Sequence, residues 1–406
     1  MINSILYNKI FSKLRHPPGI NFWILWLHAD SVKCRHHMRA LVAVPHGKSK
    51  FLRGSYYIAQ YIAWIIFFAW QHSWRAIRYL AKKEKKRNAH VLSMSYLRMM
   101  LKYIWIYHIP LPSILRYQLL ERPEQVLDHI YIHEIPKWQH ALSNTIGRQE
   151  SRLLTDKDYF SKKCERQQIA AIKTLGVIAI GEIDAKLSWI FQQEQSIFIK
   201  PPSANRSEDC FHLFIKDGRV VLRAMNRQEE YIDRNQIISH LTAANKKHPL
   251  ITQPLLTNMA IWDDLSPSDE LITMRIITEY YLQEVVVISG VIEIPKEDGG
   301  RYYDVIPINP INGMIHDRYF KHIQESIDEH QQALLTKLAG TTVPLWTDLV
   351  CDLHKAHQLC PNIRLVGWDA AITPDGPVII EGNFGWGTHS FTLNELAIKK
   401  LKDIII

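Results

Sequence analysis

Cysteine is scarce in this sequence and never closely paired. The 406 residues include five cysteines, and none of them forms a Cys-x-x-Cys pair. This usage is more typical of a chain in a reducing, cytoplasmic compartment than of a secreted domain held by disulfides. The N-terminal residues also lack the apolar core and small-residue cleavage site of a secretory signal peptide. We therefore expect a cytoplasmic protein without a disulfide framework.

Short motifs of several enzyme classes are also absent. The sequence contains no Gly-x-Ser-x-Gly nucleophile elbow, no Walker A phosphate loop and no Rossmann glycine fingerprint. Cys351, His354, His357 and Cys360 suggest zinc by residue type, but steps of three residues on a helix over 349–359 rotate each side chain by about 300°. The four side chains would fan around the helix, so we do not predict zinc there. Three further histidines lack the His-Glu-x-x-His order and are interpreted as ordinary: His129, His133 and His140.

Acidic residues are scarce at the N-terminal end. Residues 1–90 contain 16 Lys/Arg and only two acids, Asp30 and Glu84, a net charge of +14, whereas the remainder carries −5. Such a basic end favours an anionic partner: phospholipid, nucleic acid or a charged glycan. The aromatic residues are concentrated at 56–74 instead of being interleaved with the basic run, which argues against nucleic acid.

The segment between Arg53 and Arg75 has 21 residues and no charged side chain. Its length permits a spanning helix, but polar residues shorten the strongly apolar part to 58–70, and basic residues flank both sides alike. We therefore favour a helix over 54–74 that lies in the membrane interface on anionic lipid, peripheral to the inner face of the membrane. A helix buried against the rest of the protein stays open as the alternative, and spanning ranks third.

The most informative pattern is LVGWDAAITPDGPVIIEGN, at 365–383. Two apolar, β-rich runs flank Thr-Pro-Asp-Gly-Pro, whose residue types favour a tight turn, so a buried hairpin is predicted. Asp369 lies in its first strand, and Glu381 and Asn383 end the second. Carboxylates in an apolar hairpin need a cation or partner, and Mg²⁺ prefers oxygen ligands. A structural ion pair or a hydrogen-bonded turn is the alternative.

At this point the sequence resembles a known family. Asp in a strand, then a hairpin, then Glu-x-Asn resembles the metal-binding signature of the ATP-grasp superfamily, and GWDAAITPDGPVIIEGN is most similar to its sugar-transfer-associated branch. The resemblance runs with gaps from about Tyr96 to Thr392 and includes YHIPLPSILRYQLL and TDKDYF. It implies an α+β, ATP-grasp fold with two α+β lobes clamping ATP. It also implies one or two Mg²⁺ ions held by Asp369, Glu381 and Asn383.

The composition and the resemblance together predict the domain organisation. A basic, aromatic-rich helical region is expected at 1–95 and a helical lead-in at 96–150, followed by the ATP-grasp catalytic unit at 151–406. Its two lobes are expected at about 151–255 and 256–406.

The resemblance assigns further positions one at a time. Lys157 lies where these enzymes commonly place a lysine on the nucleotide phosphates, and Lys200 closes an apolar strand where a phosphate would meet its charge. Arg275 matches a strand arginine that faces the transferring phosphate, so Arg275 and Lys200 are the candidate catalytic residues. The hinge that meets adenine is matched by three residues: Gln253, Leu255 and Leu256. Without the resemblance, ordinary surface or strand residues are the simpler interpretation.

One loop departs from the family pattern. Residues 201–211 contain no glycine, whereas ATP-grasp enzymes usually fold a glycine-rich loop over the phosphates. Four side chains would have to substitute as donors: Ser203, Asn205, Arg206 and Ser207.

The function that the resemblance implies is ATP- and Mg²⁺-dependent ligation. A small-molecule or sugar-linked carboxylate would be activated as an acyl phosphate for attack by an amine or similar acceptor, in surface polysaccharide or glycoconjugate biosynthesis. Two alternatives remain open: a catalytically decayed scaffold of a membrane glycan-assembly complex, and a kinase of the ATP-grasp type.

Overall fold

A computed structural model describes residues 20, 24–25, 37, 50–87, 92–117, 119–129, 131, 134, 143, 146–192, 196–203, 209–225, 229–266, 270–295, 303–317 and 329–386. The chain divides into two compact units. The N-terminal unit comprises Met1–Thr145, Phe320–Asp328 and Gly385–Ile406. The two-sheet unit comprises Ile146–Tyr319 and Glu329–Phe384.

The described part of the N-terminal unit is helical. Its elements are α1 (Lys50–Ala63), a π-helical turn (Trp64–Phe68), α2 (Ala69–Arg87), α3 (Leu92–Trp105), α4 (Leu111–Arg116) and a 3₁₀ turn (Pro123–Gln125). The side chain of Trp64 is fully buried, and its Nε1 donates to the carbonyl oxygen of Ile104 at 3.1 Å. The helix predicted at 54–74 is therefore part of a longer one. Within the described ranges, no helix has the length and apolarity that crossing a membrane requires.

The first sheet of the two-sheet unit has six strands in the order β1-β6-β2-β3-β4-β5, and every neighbouring pair is antiparallel. The elements of this part are α5 (Arg148–Leu153), α6 (Lys157–Arg166), β1 (Gly176–Ile178), α7 (Ile183–Phe191), β2 (Ile197–Lys200), β3 (Phe211–Lys216), β4 (Arg219–Ala224), β5 (Glu229–Tyr231), α8 (Arg234–Asn245) and β6 (Leu250–Pro254). Alternate apolar residues such as Ile197, Ile199 and Leu213 share one buried cluster with Ile190 of α7 and Leu241 of α8. One face of this sheet therefore carries the helices.

The second sheet has five strands in the order β11-β10-β7-β8-β9. Its elements are a 3₁₀ turn (Ala260–Leu265), β7 (Thr273–Tyr281), β8 (Glu284–Pro295), β9 (Tyr303–Ile308), α9 (Glu329–Leu338), α10 (Trp346–Gln358), β10 (Leu365–Thr373) and β11 (Gly376–Asn383). Ala171, which precedes β1, also forms a parallel bridge with Ile379 of β11. All six strands of the first sheet lie before residue 255 and all five strands of the second lie after it, and this bridge is one additional contact between the two parts.

The predicted C-terminal hairpin is present, with strands slightly longer than the sequence suggested. The two-residue turn lies at Pro374 and Asp375, and Gly376 follows it with φ +119°, a backbone conformation that favours glycine. The register shifts after Asp369, which leaves Ile380 without an opposite partner on β10. Such a bulge re-aims the side chains next to it.

His357 is part of a buried hydrogen-bond chain rather than a zinc site. Its Nε2 lies 2.8 Å from the carbonyl oxygen of Ile363, which only accepts, so Nε2 carries the proton and Nδ1 accepts from Thr278 Oγ1 at 2.6 Å. Trp368 Nε1 in turn donates to Thr278 Oγ1 at 2.7 Å. Both ring nitrogens of His357 are therefore used inside the fold. Among the other histidines set aside, His129 is buried against the Tyr117 ring, and positions 133 and 140 lie outside the described residues.

Candidate active site

Residues predicted to bind metal and to act in catalysis lie side by side on three neighbouring strands of the second sheet. Asp369 of β10 lies directly opposite Glu381 of β11 on one side and Arg275 of β7 on the other. Paired residues of antiparallel strands point to the same face of a sheet. Arg275, Asp369 and Glu381 therefore form one row across the sheet, and Asn383 lies two residues beyond Glu381 on the same side.

The polar ends of these side chains converge. The Nδ2 atom of Asn383 lies 3.2 Å from Asp369 Oδ2 and 3.3 Å from Glu381 Oε1. The Arg275 guanidinium donates from Nη2 to Asp369 Oδ2 at 3.0 Å, and its Nε contacts Oδ1 of the same carboxylate. The two carboxylates and the amide are thus close enough to share one small cation.

Lys157 enters the same cluster from the start of α6. The Asp156 carboxylate begins this helix by accepting from the backbone N–H of Tyr159 at 3.0 Å. The backbone N–H of Lys157 donates to the carbonyl oxygen of Pro202 at 3.2 Å, which ties the helix start to the loop after β2. The Lys157 ammonium lies 2.8 Å from Glu381 Oε2. The helix start therefore presents a cation to the carboxylates.

Lys200 supplies a second cation from the end of β2. Its side chain is buried, with only 9% exposed, and its ammonium lies 5.3 Å from the centre of the Phe198 ring. Burial, together with the like charge of Lys157, lowers the pKa of Lys200 to about 8, while the carboxylates of Glu381 and Asp369 oppose this effect. Glu381 and Asp369 thus act electrostatically on a lysine of the first sheet, and the Lys157–Pro202 hydrogen bond ties the loop after this lysine to the start of α6.

The two carboxylates have different electrostatic environments. Burial raises the pKa of Asp369, although the Arg275 guanidinium acts in the opposite direction. For Glu381, burial also acts to raise the pKa, but Lys157, Lys200 and the Asn383 amide outweigh it, and the pKa is lowered. Three basic side chains therefore lie near Asp369 and Glu381, while Glu293 adds a further negative charge near Asp369; such a concentration of cations suits a bound polyphosphate.

The donor set fits magnesium. Two carboxylates and an amide oxygen are hard ligands, and Mg²⁺ commonly takes one or two carboxylates while phosphate and water complete its coordination. Within the part of the chain that the structure describes, no three His, Cys, Asp or Glu side chains cluster as a metal site. The set at Asp369, Glu381 and Asn383 supplies two carboxylates and one amide, a number of ligands that leaves positions of a Mg²⁺ ion to phosphate and water.

The register of the first sheet gives Lys200 and Gln253 a common face. Lys200 pairs with Ile251, two residues before Gln253, and Gln253 pairs with Phe198. His212 of β3 is opposite Phe198 and shares this face too. It is the face opposite the helix-packed cluster that contains Ile197 and Ile199. These side chains therefore lie on the side available to a nucleotide.

Gln253 itself is the strongest sign of a missing partner. It is fully buried, and neither its Oε1 nor its Nε2 has a hydrogen-bond partner in the described residues. Buried amides are nearly always satisfied, so this side chain fits a role toward a polar ligand. Leu255 and Leu256 are half-buried in the connection that follows, where the Leu255 N–H donates to the carbonyl oxygen of Ser196.

An open cleft of about 220 Å³ adjoins the carboxylates. Its lining residues are Leu153, Leu154, Thr155, Asp156, Lys157, Phe160, Ser203, Glu381, Gly382 and Asn383. Ser203, one of the four predicted loop donors, is part of this lining, whereas Asn205, Arg206 and Ser207 lie outside the described residues. Sequence reasoning missed Phe160, Phe198 and His212, because an aromatic side chain gives no signal until its facing is known.

The sequence profile of the family described as sugar-transfer associated ATP-grasp matches residues 139–404. Among curated protein sequences, none matches this chain.

Similar solved structures include three ATP-grasp-related proteins. A D-alanine-D-alanine ligase from Helicobacter pylori is 12% identical with a TM-score of 0.38, and the match covers 63% of this chain and 61% of that one. D-alanyl-alanine synthetase A from Vibrio cholerae is 13% identical with a TM-score of 0.38, covering 67% and 70%. A RimK domain ATP-grasp protein from Sphaerobacter thermophilus is 12% identical with a TM-score of 0.33, covering 63% and 69%.

Proposed function

The chain belongs to the sugar-transfer associated ATP-grasp family, and from that premise we propose that it is an ATP- and Mg²⁺-dependent ligase. It would activate a carboxylate as an acyl phosphate for attack by an amine or similar nucleophile. The observation that carries this proposal is the convergence of Asp369, Glu381 and Asn383, with Arg275 in the same row and Lys157 in contact. ATP-grasp enzymes in general use ATP and Mg²⁺, and the donor set fits both.

The roles of the charged residues follow from their positions. Asp369, Glu381 and Asn383 would hold Mg²⁺, which would supply positive charge to neutralise the nucleotide phosphates. Lys157 and Lys200 would receive phosphate oxygens, Lys157 from the helix start and Lys200 from the strand end. Phosphoryl transfer depends mainly on such positioning and electrostatics.

The reaction has two balanced steps. An oxygen of the substrate carboxylate attacks the γ-phosphorus, the bond to the β-bridging oxygen breaks, and ADP leaves. The acceptor nitrogen then attacks the acyl carbon, inorganic phosphate leaves, and the amine loses a proton. Arg275, which is held beside Asp369 by two contacts, would offset the charge that develops on the transferring phosphoryl group.

Gln253 and its neighbours would bind the adenine. The buried, unpaired amide of Gln253 supplies the two N–H donors of Nε2 and the acceptor Oε1, and Phe198 supplies an apolar surface on the same face. Backbone groups near Leu255 and Leu256 would complete the hinge. The substrate carboxylate is proposed to be small or sugar-linked and to serve surface polysaccharide or glycoconjugate synthesis, in line with the family's description.

A non-catalytic scaffold is the second candidate, and one specific feature favours it. The loop at 201–211 has no glycine, so backbone N–H groups approach bound phosphates less easily than in glycine-rich loops. A protein of this kind would bind Mg²⁺-ATP without releasing phosphate. A kinase would instead leave the phosphoryl group on a hydroxyl acceptor.

The test replaces the carboxylates by near-isosteric amides. We expect Asp369→Asn and Glu381→Gln to lower ATP turnover by about 10²-fold or more, because each removes charge at the metal position. Asp375→Asn in the exposed turn of the same hairpin and Glu284→Gln on an exposed strand end are matched controls. Calorimetry measures Mg²⁺-ATP binding, and phosphate release is followed with candidate carboxylates. Unchanged turnover in both site variants would remove the proposed mechanism.

Labelled oxygen separates ligase from kinase. With a substrate carboxylate enriched in ¹⁸O, ligation transfers one labelled oxygen to inorganic phosphate, because the acyl C–O bond breaks in the second step. A kinase gives a phosphorylated acceptor and no labelled phosphate. Tight Mg²⁺-ATP binding without phosphate release for any carboxylate in a metabolite extract would favour the scaffold.

A further inference from the structure

The helix formed by α1, the π-helical turn and α2 has two contrasting faces. One face packs into the core of the N-terminal unit through Trp64, Phe68, Ala76 and Leu80. The other carries large apolar side chains that are 42% to 65% exposed. We call this set the apolar stripe: Ile58, Ile62, Ile65, Ile66, Trp70, Trp74 and Ile77. An exposed apolar set of this size marks an interaction surface rather than ordinary surface composition.

The π-helical turn makes the stripe continuous. Successive residues of an α-helix are rotated by about 100°, so Ile58 and Ile62 lie on one side of α1, and Trp70, Trp74 and Ile77 lie on one side of α2. In an uninterrupted α-helix these two groups would differ by about 100°. The π turn at Trp64–Phe68 accommodates one residue more than an α-helical turn does. The residues after it are therefore rotated back by about 100°, which cancels this difference. The stripe therefore runs straight for about 28 Å along the helix.

Positive charge frames the stripe. The helix at 50–87 contains nine Lys/Arg and one acid, a net charge of +8, and none of these lies between Arg53 and Arg75. Arg75 and Arg78 are exposed, and the Arg78 guanidinium lies 5.1 Å from the centre of the Trp74 ring. The apolar stripe thus begins and ends in basic residues, with its two tryptophans toward the more basic end.

We propose that this helix docks in the plane of an anionic bilayer surface, with the apolar stripe inserted at headgroup depth. Isoleucines would reach the acyl boundary, the tryptophans would lie among the headgroups, and the basic ends would contact anionic lipid. The buried opposite face fixes which side of the helix can insert. The site described above does not contribute to this surface, so the proposal is independent of the proposed chemistry.

Charge argues for lipid over a second copy of the chain. Self-association through the stripe would bring two helices of +8 together, whereas an anionic bilayer attracts each basic residue near it. Apart from the indole N–H groups of Trp70 and Trp74, the stripe has no polar group for directional pairing, and an interface with protein commonly includes several hydrogen bonds.

Flotation of the full-length protein with lipid vesicles tests the proposal. Vesicles of phosphatidylcholine with about one-third phosphatidylglycerol are compared with pure phosphatidylcholine, at about 50 mM and about 500 mM salt. We expect the protein to float with the anionic vesicles at low salt and much less at high salt or without phosphatidylglycerol. The triple variant Ile62→Gln, Ile66→Gln, Trp70→Gln should weaken partitioning by about 30-fold or more.

Two matched controls make this result specific. Ile261→Gln, Leu282→Gln, Ile311→Gln removes three apolar groups of the two-sheet unit that are exposed by 64% to 78%, and this variant should float like the unaltered chain. Arg75→Gln, Arg78→Gln removes two of the nine basic residues of the helix and should reduce the salt-dependent part, whereas Lys186→Gln, Lys246→Gln, at exposed positions elsewhere, should not.

Three outcomes would overturn the proposal. They are no flotation with anionic vesicles at low salt, equal loss in both triple variants, or unchanged flotation of the stripe variant accompanied by a change in its oligomeric state. The last result would assign the stripe to contact between copies. Circular dichroism of each variant confirms that the fold is retained, and Mg²⁺-ATP binding checks the two-sheet unit separately.

Discussion

Replacing His357 by glutamine tests the buried chain behind the carboxylate row. Burial lowers the pKa of His357 from 6.5 to about 4, although its hydrogen bond to Ile363 acts in the opposite direction. Between these values the unfolded chain binds a proton that the folded protein excludes. The free energy of unfolding therefore falls as the pH falls.

The magnitude follows from the two pKa values. Lowering the pH from about 7.5 to about 5.5 removes about 1.3 kcal/mol from the free energy of unfolding, and the full effect, below pH 4, is about 3 kcal/mol. Glutamine has no such titration. It retains an amide that can donate toward Ile363, so we expect His357→Gln to cost about 1–3 kcal/mol at pH 7.5. The difference between the two proteins should then shrink by about 1.3 kcal/mol at pH 5.5.

Urea unfolding at the two pH values, followed by circular dichroism and tryptophan fluorescence, measures this difference. His108 and His212, whose pKa values burial also lowers to about 4, are present in both proteins and cancel. His248→Gln, at an exposed histidine, controls for loss of a histidine as such. A stability difference that is the same at both pH values would refute the neutral, buried chain from Trp368 through Thr278 to His357.

Three further predictions concern the site. In Gly382→Ala the new Cβ would lie 2.6 Å from Leu154 Cδ2 and 2.7 Å from Trp368 Cζ3. We expect the free energy of unfolding to fall by about 1–3 kcal/mol and Mg²⁺-ATP binding to weaken by at least about 10-fold. Gly54→Ala, with no atom within 4 Å of the new Cβ, should show neither effect. Because the pKa of Lys200 is about 8, Mg²⁺-ATP affinity measured by calorimetry should fall as the pH rises through 8. Lys200→Arg should remove this fall. The same pH profile in both proteins would contradict the role of Lys200. Gln253→Leu should leave the free energy of unfolding unchanged or raise it by about 1 kcal/mol, since the amide is buried without a partner. The same variant should weaken ATP binding by about 10-fold. A variant that is less stable yet binds ATP normally would show that the amide stabilises the fold instead.

The hairpin at 365–383 was predictable because its signals are local. Apolar runs, turn residues and two carboxylates lie within one short stretch, and a two-residue turn leaves few alternative registers. The bulge at Ile380 was not visible, since nothing in the sequence marks which residue lacks a partner. Nor was the reason for glycine between Glu381 and Asn383. That reason is the Trp368 ring and the Leu154 side chain, which fill the space where a Cβ would be.

The helix at 50–87 also has a feature that the sequence pattern did not predict. The sequence marked an uncharged aromatic segment and its basic flanks, but a helical wheel drawn through residues 58–77 would place the two halves of the apolar stripe about 100° apart. The π turn aligns them. A helix register error of one residue is invisible to pattern reasoning and decides which side chains are exposed.

By itself the sequence determined the residue types of the site and, through its resemblance to the ATP-grasp family, the fold. Only the tertiary structure decided that Arg275 lies opposite Asp369 and that Lys157, more than two hundred residues before Glu381, contacts its carboxylate. Strand order and register depend on competition among all strands of the chain and on the packing of distant side chains. A local sequence pattern contains no information on that competition. The site residues could therefore be predicted from the sequence, whereas their contacts with one another could not.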